Sequence, residues 1–159
     1  TKQVDVLVSS LSLLNDSKDQ GWGTLLFDGT DETIWNKYIG GKVPVTSHFT
    51  LQSTIDKDPA KMQAFVTAIW RATQWVKTHT PDQIYDAIEP YVGSTSRGAN
   101  ILEITALQKV ADYDATIDAA GFARGEKVWF REMTGIKPLT IADVVSPTFV
   151  ESARKAYPA

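Results

Sequence analysis

Cysteine is absent from the 159 residues. That excludes disulfides, thiolate metal sites and cysteine nucleophiles together. Histidine is nearly absent. His48 and His79 are too few and too far apart in the chain for a metal site. No apolar run approaches the roughly 20 residues of a membrane-spanning helix. No polybasic run occurs, so nucleic acid is not an expected partner. The sequence has no G-x-S-x-G elbow, no H-E-x-x-H and no acidic cluster at metal-ligand spacing. The expectation is therefore no catalytic residue, no metal and no cofactor. Internal repeats and low-complexity tracts are also missing. The chain opens at Thr1 without a signal peptide at that point. It is expected to have been processed or cut from something longer.

What is present is ordinary globular material. The chain is 43% apolar and 22% charged, with a net charge of −3 spread along its length. One domain with a core is the default for that composition and size. Residues 4–8 (V-D-V-L-V) predict a buried strand, since they are β-branched and nearly all apolar. Residues 24–27 (T-L-L-F) and 45–51 predict two more strands. Glycines at 21, 23, 29, 40 and 41 punctuate this part.

Helices dominate the remainder. Residues 33–38 predict a helical turn. Asp58-Pro59 opens the clearest helix, an N-cap followed by the residue best suited to the first helical position. Its apolar stripe is expected at Met62, Phe65, Ile69, Ala72 and Val76. Thr80-Pro81-Asp82-Gln83 has capping-box spacing and starts the next helix. Further helices are predicted over 101–110, 122–133 and from Ser146-Pro147 onward. Two or three short strands cannot cover five helices as a proper layer. The expected fold is therefore α/β, mostly α, with material missing on the N-terminal side.

The order of these features resembles the C-terminal half of ABC-transporter substrate-binding proteins. The similar family serves nitrate, sulfonate, taurine and thiamine-precursor importers and has the periplasmic-binding-protein type 2 fold. The resemblance rests on V-D-V-L-V at 4–8, G-x-G-x-L-L-x-D at 21–28 and V-P-V-T-S-H-F-T at 43–50. It continues through D-P-A-K-M-Q-A-F-V at 58–66 and the rhythm of Ala68, Ala72, Trp75 and Pro81. It closes with Gly135-Ile136, Asp143-Val144-Val145 and Phe149-Val150-Glu151-Ser152-Ala153. Each motif is only packing and capping, so their order carries the likeness. The resemblance implies that residues 1–40 belong to the second lobe and the crossover, and 41–159 to the first lobe. It also implies an N-terminal half outside this chain, about as long again.

In that family the ligand sits between two lobes. The matching positions here are Ser9, Ser10 and Leu11, after the first strand. Small hydroxylated residues before a helix start offer hydroxyls and free N–H groups to an anion. The alternative is that Ser9, Ser10 or Ser12 caps the next helix. Trp22, Trp35 and Tyr38 lie near the crossing and supply either a cleft wall or packing. Ser47 completes the expected ligand-binding set of Ser9, Ser10, Leu11, Trp35 and Ser47, with Thr46 and His48 beside it. Trp70, Trp75 and Trp129 fit core or half-buried helix positions. The G-S-T-S-R-G loop at 93–98, with Arg97 as counter-charge, lacks the ending and preceding strand of a P-loop.

The resemblance implies a non-enzymatic solute-binding component of an importer, capturing a small anionic or heteroaromatic solute. Its partners would be that solute, a membrane permease, and either the N-terminal half or a second copy. Its location would be periplasmic or otherwise extracytoplasmic, as a secreted protein or lipoprotein. One alternative is a stand-alone helical interaction domain. Another is a pyrimidine-precursor synthase-like enzyme, for which His48 and His79 are the only candidates.

Overall fold

The computed structural model describes residues 4–9, 13, 17, 20–92, 96–130, 133–135, 137 and 139–159, with only the backbone at 128 and 129. Among the described residues there is no strand. The expected α/β fold is thus corrected to an all-helical one. Residues 4–9, 23–28 and 42–51 adopt no regular secondary structure, save isolated bends. The physical reason is pairing. A strand exists only as part of a ladder, and a β-branched run with no neighbour gains none of its hydrogen bonds.

The helices are α1 (Glu32–Ile39), α2 (Gln52–Lys57), α3 (Pro59–Thr78), α4 (Pro81–Ile88), α5 (Arg97–Val110), α6 (Ala119–Trp129), α7 (Ile141–Val144) and α8 (Thr148–Ala156). A 3-10 turn, Glu89–Tyr91, follows α4. Local chemistry explains most boundaries. Asp58 accepts from the Lys61 amide at 2.9 Å and starts α3. The Thr80 hydroxyl accepts from the Gln83 amide, while the Gln83 side chain accepts from the Thr80 amide at 2.9 Å. That capping box satisfies two otherwise orphaned N–H groups of α4. Asp118 caps α6 by accepting from the Gly121 amide at 2.7 Å.

The chain divides into two compact units. One comprises residues 1–34 and 79–111, the other 35–78 and 112–159. In the first, α4 and α5 form an antiparallel hairpin. Arg97, at the start of α5, reaches back to Asp86 at 2.6 Å and Asp82 at 2.9 Å and lies over the Tyr85 ring. At the other end of the pair, the Gln108 amide donates to the His79 carbonyl at 2.9 Å. Ile84 and Tyr85 are buried there. In this unit Gly21 has φ +68°, a left-handed value that suits glycine. A β-carbon on Gly23 would come within 2.8 Å of Ser17 Cβ. The two glycines of the G-x-G motif are thus accounted for by backbone geometry.

In the second unit α3 and α8 run parallel. Gln63 donates to the Phe149 carbonyl at 3.0 Å, and Trp70 donates to the Tyr157 carbonyl at 2.9 Å. Trp70 is 4% exposed and Ala153 is fully buried beneath the seam. The guanidinium of Arg154 lies over Trp70 and that of Arg71 over Tyr157. The buried seam of α3 therefore runs through Gln63 and Trp70. The stripe expected from Met62 to Val76 does not carry it, since Phe65 is 45% exposed and Ala72 is exposed.

Burial is sparse. Among the described residues only Trp70, Ile84, Tyr85 and Ala153 are buried apolar side chains. The chain exposes 12257 Å². Val4, Val6, Leu26, Val45, Phe49 and Leu51 all face solvent.

Candidate functional site

The members of the expected ligand set are distributed as follows. Ser9 is exposed in the first unit, and Ser47 is exposed in the second. Ser10 and Leu11 lie outside the described residues. Of the three described members, Trp35 alone sits in a built setting. It is half-buried on α1, and its indole N–H donates to the Gly41 carbonyl at 2.8 Å. Trp22 and Tyr38 are largely exposed. His48 meets the Phe65 ring edge-on with centroids 5.5 Å apart. His79, in the other unit, accepts from the Gln108 side-chain amide through its backbone carbonyl at 2.9 Å. Arg97 is committed to Asp82 and Asp86. That pairing holds its pKa well above the ordinary guanidinium value, with the hydrogen bond to Asp86 the largest cause. It joins two helices and leaves no fork for a phosphate.

The most developed polar arrangement lies around Gly40 and Gly41, within the second unit. The turn that ends α1 needs φ +87° at Gly40 and +130° at Gly41. Both values disfavour a residue with a side chain. Gly41 has a second reason to lack one. A β-carbon there would sit 3.0 Å from Cζ and Nη2 of Arg124 and 3.2 Å from Nη1. These near-equal distances place the glycine over the face of the guanidinium plane. Nη1 of Arg124 donates to the Lys42 carbonyl. Gly121, one turn before Arg124 on α6, also lacks room, since its β-carbon would stand 3.2 Å from the same carbonyl.

Trp35, the Gly40–Gly41 turn, Lys42 and Arg124 thus form one local assembly. Trp35 was legible as a candidate. Arg124 was not, because no motif surrounds it and α6 brings it to Gly41 only through the fold. Among the described residues no carboxylate lies within ion-pair distance of Arg124. The arrangement offers a guanidinium without an ion-pair partner among the described residues, against a turn whose other side is held by an indole. No group of three or more metal-ligating side chains occurs among the described residues. None of their helices is long and apolar enough to cross a membrane.

Comparison of the chain with protein-family models, with curated proteins and with solved structures finds no match.

Proposed function

We propose that this chain is the C-terminal part of a solute-binding component of an ABC importer, which captures a small anionic or heteroaromatic solute without transforming it. The observation that carries this reading is the uncovered apolar surface. Side chains such as Val8, 96% exposed, and Phe49, 95% exposed, suit a chain completed by further polypeptide. The ordered likeness to the substrate-binding family supports the same view, as does the positively charged, aromatic-flanked turn at Gly41. Its partners are then the solute, a membrane permease and the covering N-terminal half, in an extracytoplasmic compartment.

The test uses the complete product of the gene that encodes this chain. Its melting temperature is measured with nitrate, methanesulfonate, taurine and a hydroxymethylpyrimidine, each against a matched chloride control. A ligand present at a hundred times its dissociation constant adds ~2.7 kcal/mol of stability, so one compound is expected to give a clear rise. No rise with any of the four overturns the reading.

A second reading, a helical interaction domain, is favoured by the absence of strands among the described residues. It predicts that the 159-residue chain is monodisperse and melts cooperatively, with no response to these solutes.

A further inference from the structure

From the geometry of the Gly40–Gly41 turn we infer that Arg124 is a small-oxyanion site, taking a planar carboxylate or nitrate, or a sulfonate, on the free edge of its guanidinium. The inference deepens the solute-capture reading and rests on it for the role of the anion, though not for the existence of the site.

The argument follows from how the five N–H groups of an arginine are used. Nη1 is committed to the Lys42 carbonyl. One face of the plane lies against Gly41, and Nε lies 3.7 Å from where a β-carbon on Gly40 would be. Nε and Nη2 share the side-on edge, whose two parallel N–H groups match a carboxylate or nitrate in a bidentate bond. No hydrogen-bond acceptor meets either atom among the described residues, and none of their carboxylates is within ion-pair distance; the nearby Asp118 carboxylate is engaged by the Gly121 amide at 2.7 Å.

Three features hold the guanidinium in place before any ligand arrives. The Lys42 carbonyl fixes its orientation. The missing side chains at Gly40 and Gly41 let the backbone approach closely. The Trp35 indole, bonded to the Gly41 carbonyl at 2.8 Å, stiffens the turn. Pre-positioning of this kind lowers the ordering cost of binding. It also separates Arg124 from Arg97, whose fork is filled by two aspartates, and from Arg154, which donates to the Asp114 carbonyl and covers Trp70.

The experiment is a ¹⁵N-edited titration that follows the Arg124 Nε resonance at fixed ionic strength. The probes are sodium nitrate, acetate and methanesulfonate, each replacing sodium chloride. A saturable shift at Arg124 Nε is expected with the oxyanions, and a much weaker one with chloride. Arg124→Lys keeps the charge and a donor for the Lys42 carbonyl but loses the fork. It is expected to weaken binding about tenfold or more, with amide dispersion unchanged. Gly41→Ala, which pushes the guanidinium away, should weaken it comparably. A shift that is linear and equal for chloride, or an Arg124→Lys variant that binds as tightly as the parent, overturns the site. The same substitution in the complete gene product separates the two claims. Solute capture undiminished by Arg124→Lys removes this site and leaves the importer reading. Saturable acetate binding at Arg124 in a product whose melting temperature none of the four solutes raises removes the importer reading and leaves the site.

Discussion

Trp70 combines three interactions in one side chain. Its ring is buried between α3 and α8, its N–H satisfies the Tyr157 carbonyl, and its face receives the Arg154 guanidinium. With so few buried side chains in the second unit, much of its stability should depend on this one. Trp70→Ala is expected to cost about 3–5 kcal/mol. Trp70→Phe keeps much of the area but strands the carbonyl, and should cost a smaller ~1–2 kcal/mol. Denaturant midpoints measure both, and equal losses for the two variants would contradict the hydrogen-bond account. Residues of this kind were partly legible. A tryptophan on an amphipathic helix suggests burial or half-burial by composition alone. The meeting of Arg124 with the Gly40–Gly41 turn was not legible, because it depends on where α6 lies.

At the scale of elements, capping chemistry explains where helices begin. Asp58-Pro59 and the Thr80–Gln83 box start α3 and α4 where their spacing indicates. The short α7 is held in the same manner. Its Asp143 carboxylate accepts from the Thr140 amide at 2.7 Å and from the Thr140 hydroxyl at 2.8 Å. The bond from the amide is the larger of two causes that hold the Asp143 pKa below the ordinary carboxylate value. A folded-state pKa lowered in this way contributes stability above the unfolded pKa. That contribution is lost as pH falls through the folded value. A carboxyl ¹³C titration is therefore expected to place the Asp143 midpoint below that of an exposed aspartate. In Asp143→Asn, the local order around Thr140 should cease to change across that acidic range. An unshifted midpoint would remove the capping account of α7. What element-scale reasoning missed was α2 (Gln52–Lys57) and the failure of three expected strands. A strand's hydrogen bonds go to another segment, so a run such as V-D-V-L-V cannot certify its own structure.

On the scale of the whole molecule, exposed apolar side chains outnumber the four buried ones among the described residues. Chains with that much open apolar surface bind other surfaces or each other. The 159-residue chain is expected to enhance the fluorescence of a hydrophobic dye and to sediment faster as its concentration rises. Both effects should diminish in the complete gene product if further polypeptide covers this surface. A monodisperse chain that leaves the dye dark would favour the self-contained helical domain. The inventory of missing chemistry also belongs to this scale. With no cysteine, disulfides and thiolate chemistry are excluded whatever the fold.

By itself the sequence determined the helices that begin at Pro59 and Pro81, the caps that start them, and the exclusion of thiol chemistry. These are local properties, set by propensity, capping spacing and composition. Tertiary structure decided the parallel pairing of α3 with α8, the seam through Gln63 and Trp70, and the seating of Arg124 against Gly41. It also decided that no strand forms among the described residues. Each of these depends on groups distant in sequence meeting in space, and pattern along the chain carries no direct record of such meetings.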